Sequence, residues 1–478
     1  MKKDIISAPD LKEARKRSKE NIDIIYSDLV IENQLFNYAR NKKYLLKTFG
    51  CQANVRDGET IAGILENIGY VLTNEPQEAD LIILNTCAVR ENAEDRVFGE
   101  IGHLKGLKLK KKEAIYAICG CMVQQESITS KILSTYPHID LIFGTHNIHR
   151  IPQLLFEVIN ERRIVVEVLS NQGNIIENLP SKRSDKLKAF VNIMYGCDKF
   201  CTYCIVPYTR GKQRSRLPQD IISEVEQLKK DGYIEVTLLG QNVNAYGKDL
   251  NLEIDFAKLL HLVSETHIPR IRFVTSHPWD FSQEMINAIK TLDNVMPFVH
   301  LPIQSGDDDI LRKMGRRYTV EEYLTTYNKL RQIDKISITT DIIVGFPNES
   351  LEAFNNTLKI VDECAFDGAF TFIYSKREGT PAALLKDDIS EEEKHRRLSL
   401  LIEKVNYYAL LRNKTYLGEI VEVLVEGKSK RNEDILSGYS KQNKLVNFKG
   451  NINNIGKLVK VKINKAKSFT LQGEEIDE

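Results

Sequence analysis

Three cysteines, Cys197, Cys201 and Cys204, lie within one short segment and are separated by three and then two residues. No fourth cysteine lies near them, and no histidine stands between them. A closed zinc site needs four such ligands, and an electron carrier supplies four cysteines to each [4Fe-4S] cluster. Three thiolates would leave one iron open. This loop triad therefore predicts a catalytic [4Fe-4S] cluster whose open iron could chelate S-adenosylmethionine (SAM), a partner of iron–sulfur clusters in radical chemistry.

A second set of three cysteines, the strand-end triad, comprises Cys51, Cys87 and Cys121, spaced about 35 residues apart. Each follows a short apolar run, at residues 44–49, 79–84 and 114–118, and helical patterns at 58–68 and 92–107 separate these runs. Strands that alternate with helices form a parallel sheet, and ligand sites lie at the carboxyl ends of its strands. We therefore expect these distant thiols to converge on one edge.

Two further cysteines need separate interpretations. Cys119 stands two residues before Cys121, so the alternation of a strand predicts that it points the same way and could compete as a ligand. Cys364 is isolated in a helical pattern, and we interpret it as a packed core thiol.

The length and composition of the chain set its class. At 478 residues, with 42% hydrophobic and 28% charged residues, it is predicted to be a globular protein of about three domains. A net charge of +1 argues against bulk electrostatic binding of nucleic acid but allows local basic patches. The chain has no long apolar run and begins with a charged stretch, so we expect a cytoplasmic protein without membrane contact. In a reducing compartment, clustered cysteines indicate metal rather than disulfides.

A second alternation of strands and helices begins near Phe190. The candidate strands are residues 190–194, 234–239, 271–275, 298–302, 337–344 and 369–374. Six such units are too few for a closed eight-stranded barrel, so we predict an open partial barrel. Polar or glycine-rich turns follow its strands, at the face where barrel folds hold their active sites.

The last part of the chain changes to short, closely spaced strands. Residues 417–473 have all-β patterning with many interleaved lysines. This pattern predicts a small β-barrel, a fold that often binds oligonucleotides. Some of these lysines should only form a solvated surface.

The amino-acid sequence around both triads resembles that of the radical-SAM methylthiotransferase family, and within it that of the tRNA 2-methylthio-N6-isopentenyladenosine synthases. The matching segments are residues 48–54, 85–93 and 120–122 around the strand-end triad, 195–211 around the loop triad, and 276–278, 301–306 and 341–347 at strand ends. The resemblance spans roughly residue 43 to the C-terminus. It departs from the family at Ala53, where methionine is usual.

The resemblance implies an α/β protein with a C-terminal β-barrel, divided into three parts. These are an N-terminal α/β domain with an auxiliary cluster (43–165), a radical-SAM core (183–415) and a TRAM domain that binds RNA (416–478). Residues 1–42 precede them, and their charged composition predicts an N-terminal extension. It implies two [4Fe-4S] clusters, one on each triad, with three cysteine ligands each. It also implies SAM contacts at Gln241, Gln304 and Gly345. Tyr203 suits packing against the adenine of SAM, but ordinary loop packing explains it equally well. A structural turn explains His277 better than a functional role.

The implied activity is methylthiolation of C2 of N6-isopentenyl (dimethylallyl) adenosine 37, next to the anticodon of tRNA. One SAM donates the methyl group to a sulfur held at the auxiliary cluster, and a second SAM yields the adenosyl radical that removes hydrogen from C2. A radical is needed because an aromatic C–H bond is too inert for polar attack. The reaction implies an external one-electron donor and a sulfur source, and we expect the protein to act as a monomer.

Two alternatives stay open. A sister methylthiotransferase would share the cysteine spacing but act on threonylcarbamoyl-adenosine in tRNA or on an aspartate of a ribosomal protein. The residues around the loop triad and the basic C-terminal part favour the isopentenyl-adenosine substrate. A non-catalytic iron–sulfur protein that binds RNA or senses redox state is disfavoured by the partial barrel and its polar strand ends.

Overall fold

Strands and helices alternate through the first α/β unit, as the sequence predicts. The computed structural model describes residues 23–88, 91–161, 163–168 and 174–476, without the side chains of residues 91–93. The strands of this unit are β1 (Ile24–Tyr26), β2 (Lys43–Thr48), β3 (Val71–Leu72), β4 (Leu81–Thr86), β5 (Ile115–Gly120), β6 (Leu141–Phe143), β7 (Val165–Glu167) and β8 (Ile175–Glu177). Its helices are α1 (Asn33–Ala39), α2 (Gln52–Ile68), α3 (Glu91–Lys110), α4 (Glu126–Thr135) and α5 (Ile151–Glu161).

Six of these strands form one parallel sheet in the order β3-β2-β4-β5-β6-β7. Every residue of β4 and β5 is buried, because one apolar core packs on each face of the sheet. Burial on both faces explains why these strands read as continuous apolar runs. Since β2, β4 and β5 are neighbours, the residues that follow them meet at one edge.

The interpretation of residues 1–42 as an extension needs correction where the structure describes them. Strand β1 pairs in parallel with β8, and helix α1 buries Leu35 and Ala39 in a core of the first unit. Residues 23–42 thus contact the fold through β1 and through Leu35 and Ala39, while most of the other residues of this segment are exposed. Residues 1–22 lie outside the described part of the chain. The segment between the predicted bounds of the first domain and the radical-SAM core, residues 166–182, also contains structure, since β7 ends and β8 lies within it.

The central unit is an open partial barrel of parallel strands covered by helices, with one additional two-stranded antiparallel sheet. Its strands are β9 (Lys188–Asn192), β10 (Met194–Tyr195), β11 (Arg214–Ser215), β12 (Glu235–Leu239), β13 (Arg270–Phe273), β14 (Phe298–His300), β15 (Ser337–Val344) and β16 (Gly368–Ile373). Its helices are α6 (Val206–Thr209), α7 (Pro218–Lys230), α8 (Phe256–Ser264), α9 (Gln283–Thr291), α10 (Asp308–Lys313), α11 (Val320–Arg331), α12 (Leu351–Cys364) and α13 (Glu391–Lys414). Two three-stranded sheets, β13-β12-β9 and β14-β15-β16, are joined by a bridge between Ile271 and Val295. The predicted fold class is confirmed.

The C-terminal unit is a closed five-stranded barrel that contacts the central unit. Its strands are β17 (Ile420–Ser429), β18 (Asn432–Ser440), β19 (Leu445–Lys449), β20 (Leu458–Ala466) and β21 (Leu471–Glu475). Arg270, fully buried on β13, donates to the backbone oxygens of Tyr439 and Glu422, and Arg272 donates to that of Ser440. These contacts attach the barrel to the inner face of the partial barrel. Within the described residues, no helix is both long and apolar enough to cross a membrane.

Candidate active site with two cysteine triads

The first residue of the strand-end triad caps a helix. Cys51 is the residue before α2, and its backbone N–H and thiol lie 3.4 and 3.2 Å from Asn54 Oδ1. The backbone at Gly50 has φ +153°, and an added Cβ would lie 2.6 Å from the Cβ of Cys87. Glycine at this position therefore lets β2 turn into α2 directly beside the second cysteine.

A set of buried amides holds the three strand ends in register. Asn54 donates to the Thr86 carbonyl at 3.0 Å, and Asn85 donates to the Asn54 carbonyl at 2.8 Å. The Cys121 N–H also donates to the Thr86 carbonyl at 2.9 Å. Because backbone groups that are buried must be paired, these bonds fix the chain before and after each cysteine.

One arginine from the central unit reaches the strand-end triad. Arg210 follows helix α6, and its Nε lies 3.2 Å from the sulfur of Cys121. Its Nη2 lies 2.6 Å from Asp57 on α2. A hydrogen bond with the Cys87 thiol is the main cause that lowers the pKa of Cys51 to about 5, and the positive charge of Arg210 also lowers it. Burial raises the pKa of Cys121, although the charge of Arg210 opposes this effect. The triad thus combines one acidic thiol with a cation that favours thiolates.

The loop triad lies on an irregular segment between β10 and α6. Gly196, at φ +70°, passes so close to the Lys212 carbonyl that a Cβ would collide with it, and Phe200 also has a positive φ. Backbone bonds from Cys197 to the Gly211 carbonyl (3.1 Å) and from Cys204 to the Cys201 carbonyl (3.0 Å) fold the segment around its three sulfurs. The conformation places all three thiols on one short loop.

A second buried arginine serves the loop triad. Arg316 Nη1 lies 3.5 Å from the sulfur of Cys201, and its Nη2 donates to the Pro302 carbonyl at 3.0 Å. Desolvation raises the pKa of Cys197 and raises that of Cys204 to about 12. Such thiols lose their protons when they bind metal, so cluster binding and thiol ionisation are coupled.

An apolar cluster at the boundary between the units joins the surroundings of the two triads. Cys121 and Ala88, from the first unit, pack with Ile205 and Tyr208, which follow the last cysteine of the loop triad. Phe200, inside the loop, packs against the same cluster. One cysteine of the strand-end triad therefore shares an apolar cluster with residues in and just after the loop triad.

The structure changes the interpretation of Cys119. This residue packs into the apolar core on one face of the sheet, whereas Cys121 belongs to the cluster that meets the central unit. The chain turns between them at Gly120, whose φ is +98°, so strand alternation no longer applies at Cys121. Cys119 is thus held in the core. Cys364 is fully buried on α12, in the core of the central unit, as predicted.

The structure places the predicted SAM contacts on the same edge of the partial barrel. Gln241 follows β12, and Gln304, at φ +72°, pairs with Ile342 in an isolated bridge. Gly345 follows β15, and its N–H donates to Glu349 at 2.8 Å. Tyr203 packs against an apolar cluster that contains Ile343, so loop packing accounts for its contacts. Direct contact of these residues with SAM stays a prediction.

Several buried polar atoms at this edge lack a hydrogen-bond partner within the described residues. They are Gln241 Oε1, Asn242 Oδ1, Ser276 Oγ and His277 Nδ1, all just after β12 and β13. Buried polar atoms are normally paired, so this group fits a polar ligand. The ends of β12 and β13 thus suit the binding of SAM.

The triad thiols are not arranged as the ligands of a single metal ion. In the described part of the chain, no three histidine, cysteine or carboxylate groups converge tightly enough for one metal ion. Thiolates at separate corners of a four-iron cube lie further apart than the ligands of one ion. All eight cysteines are free of disulfides. That the six triad cysteines bind iron stays a prediction.

The groups that support the thiols carried no clear signal in the sequence. Arg210, Asp57, Asn54 and Asn85 are buried polar residues, and Arg316 is 7% exposed. Arg210, Asp57 and Arg316 have polar or glycine neighbours in the chain, so no local pattern marks them as buried. Lys444, one of the lysines between residues 417 and 473, is buried and pairs with Asp367 at 2.8 Å.

Family models match three separate parts of the chain. Family models match residues 43–144 (Uncharacterized protein family UPF0004), 191–361 (Radical SAM superfamily) and 414–476 (TRAM domain). A radical S-adenosylmethionine methyltransferase from Kitasatospora setae, solved with tryptophan and a SAM analog, is similar in fold. Its TM-score is 0.54 at 14% identity, over 72% of this chain and 75% of that one.

Relatives match the chain along its whole length. A tRNA-2-methylthio-N(6)-dimethylallyladenosine synthase from Staphylococcus haemolyticus (strain JCSC1435) is 52% identical over 98% of this chain and 91% of the relative. Proteins of the same name from Oceanobacillus iheyensis (strain DSM 14371 / CIP 107618 / JCM 11309 / KCTC 3954 / HTE831) and Staphylococcus aureus (strain MRSA252) are 53% and 50% identical, over 98% and 99% of this chain and 91% and 92% of the relatives.

Proposed function

The chain belongs to the tRNA-2-methylthio-N(6)-dimethylallyladenosine synthase family, and we propose that it methylthiolates C2 of N6-isopentenyl adenosine 37 in tRNA. SAM serves as methyl donor and as radical source. The observation that carries the proposal is the apolar cluster in which Cys121 of the strand-end triad packs with residues in and just after the loop triad, namely Phe200, Ile205 and Tyr208. A sulfur carrier and a radical source must act on the same carbon, so they must lie close together.

Membership of the radical-SAM superfamily implies SAM and a [4Fe-4S] cluster. We propose in finer detail that there are two clusters, one held by Cys51, Cys87 and Cys121 and the other by Cys197, Cys201 and Cys204. When bound, these groups supply one-electron chemistry and a site for sulfur. The chain holds the thiols in place through its buried amides and directs one arginine N–H at each triad. Hydrogen bonds to sulfur tune the reduction potential of such clusters.

The substrate is tRNA, which the TRAM domain suits. Lys462, Lys465 and Lys467 are exposed on or directly after β20, where they can meet phosphate. We propose that the protein acts as a monomer in the cytoplasm, where its tRNA substrate resides. An external one-electron donor and a sulfur source complete the reaction.

The test uses the reconstituted protein, SAM, a reductant and a sulfur source. An anticodon stem-loop with isopentenyl-adenosine should gain a methylthio group, detected by mass spectrometry of its nucleosides. The same loop with threonylcarbamoyl-adenosine should stay unmodified, and modification of that RNA alone would establish the sister activity. A protein that never forms 5′-deoxyadenosine from SAM would be no radical enzyme, and the proposal would fail.

Single substitutions separate the two triads. Cys197→Ala should abolish SAM cleavage, whereas Cys121→Ala should preserve SAM cleavage but prevent methylthiolation. Cys119→Ala is the matched control, because its thiol lies in the core, and it should retain the full iron content and activity. Loss of iron from Cys119→Ala but not from Cys121→Ala would show that the ligands are misassigned.

A further inference from the structure

Two phenylalanines of β16 are left uncovered on the inner face of the partial barrel. Ala369 and Ile373 of this strand pack against the core beneath the helices. Side chains alternate along a strand, so Phe370 and Phe372 project to the opposite face. They are 60% and 43% exposed, which is unusual for large aromatic side chains in the middle of a strand. Exposed apolar surface inside a concave fold marks a place where a ligand binds.

The position of these rings relates them to the loop triad. Phe372 is paired in register with Ile343 on β15, and Phe370 is paired with Asp341. Ile343 packs in the same apolar cluster as Tyr203, the residue before Cys204. Phe372 is thus paired with a residue that packs on the same apolar cluster as the loop triad's Tyr203, and Phe370 lies two residues further from the carboxyl end of the strand.

Polar groups border the aromatic pair on one side. The ring of His300 meets that of Phe370 edge to face, with centroids 5.9 Å apart. His300 Nδ1 lies 2.9 Å from Thr339 Oγ1, and Nε2 lies 3.3 Å from Asp341 Oδ2. The surface thus combines an apolar wall with hydrogen-bonding groups, as a polar ring with an apolar substituent requires.

We propose that Phe370 and Phe372 receive the N6-isopentenyl group of the substrate adenosine and set the preference for it. The inference rests on the proposed function. The isopentenyl group is a branched hydrocarbon, so burying it against two phenyl rings removes apolar surface from water on both sides. A threonylcarbamoyl group or an aspartate side chain carries a carboxylate, which would meet apolar rings beside the carboxylate of Asp341.

Two guanidinium groups on β13 are already paired and do not change this selectivity. Arg270 and Arg272 lie on β13 and are committed to Glu235 and to backbone oxygens of the C-terminal barrel. They are buried and at most 6% exposed. An anionic substituent would therefore find no free cation on β13.

The experiment compares two anticodon stem-loops that differ only in having isopentenyl-adenosine or adenosine at the target position. Dissociation constants of both RNAs for the holoenzyme are measured for the wild type, Phe370→Ala and Phe372→Ala. An apolar group in a fitted pocket contributes about 10- to 200-fold in preference. Each alanine variant should lose most of that preference through weaker binding of the isopentenyl RNA, with unchanged binding of the adenosine RNA. Phe372→Leu, which keeps an apolar side chain, should retain most of it.

Tyr407→Ala is the matched control, since Tyr407 is an aromatic residue on α13 that is 57% exposed, and it should keep the preference. An equal loss of binding to both RNAs in the alanine variants, or a preserved preference, would overturn the inference. So would a wild type that methylthiolates the isopentenyl RNA but binds both RNAs equally. A wild type that never methylthiolates the isopentenyl RNA would instead overturn the proposed function. Both phenylalanines are partly exposed, so truncation leaves no closed cavity, and the fold should persist.

Discussion

Replacing Arg210 with methionine should weaken the joint, which is the contact between the first α/β unit and the partial barrel formed by Arg210, Asp57 and Cys121. Arg210 pairs with Asp57 at 2.6 Å and directs its Nε at the sulfur of Cys121. The side chains of Arg210 and Asp57 are 8% and 10% exposed. Methionine keeps most of the volume but leaves the Asp57 carboxylate buried without a partner.

The size of the effect follows from that unpaired charge. Breaking a buried ion pair by removing one partner costs about 3–5 kcal/mol. Each 1.4 kcal/mol is a factor of ten, so opening of the joint should become about 100- to 4,000-fold more frequent. Cys121 is 3% exposed, and its thiol should react with reagents only in the open state.

Alkylation of the cluster-free protein measures this opening. The protein is treated with iodoacetamide under native conditions, and the labelled peptides are quantified by mass spectrometry over time. Cys121 should be labelled faster in Arg210→Met by the factor above. Cys364, which is fully buried on α12, serves as the internal control and should keep its rate.

Two results would refute the reasoning. If Cys121 in Arg210→Met reacts within about threefold of the wild-type rate, the buried pair does not hold the joint. If Cys364 accelerates by the same factor, the variant unfolds globally. The double variant Asp57→Asn/Arg210→Met leaves no buried charge and should return to within about tenfold of the wild-type rate.

Three more predictions concern other parts of the molecule. Gly120→Ala would bring a Cβ into collision with the Thr86 carbonyl at a φ of +98°, so iron content should fall from about eight to about four per chain while SAM cleavage persists. Arg270→Leu would leave the Tyr439 carbonyl, now paired at 2.9 Å, without its donor. A buried acceptor without a partner costs about 1–3 kcal/mol, so limited proteolysis between residues 414 and 420 should release the C-terminal barrel up to about 100-fold faster. Burial lowers the pKa of His277 to about 2, below the usual value near 6.5 in an unfolded chain. The unfolded state therefore binds more protons between these values. Stability should be full above about pH 6.5 and fall by up to about 1.4 kcal/mol per pH unit below it, and His277→Gln should flatten this slope in thermal denaturation.

Most elements of the fold could be predicted from periodicity, because burial imposes a pattern that the sequence carries. The predicted bounds match those of β15, begin one residue early for β12 and are displaced by one residue for β16. The short strands β1 and β8 were overlooked, since three residues carry too little pattern. Helix α1 was overlooked because it is short and buries only two side chains.

The candidate site was predicted in part. The grouping of Cys51, Cys87 and Cys121 at one edge follows from parallel strands, a rule that needs no coordinates. The exclusion of Cys119 did not follow, because it depends on the turn at Gly120 and on which core receives each thiol.

The sequence by itself determined the number, spacing and order of the thiols, and with them the kind of cofactor they can hold. Ligand chemistry depends on residue type and short-range spacing, which the chain carries directly. Only the tertiary structure decided that Cys121 shares an apolar cluster with residues in and just after the loop triad, that Arg210 lies against Cys121 although 89 residues separate them, and that Asp57 balances its charge from 153 residues away. Contacts over such separations depend on how whole units pack, so no local pattern could reveal the joint.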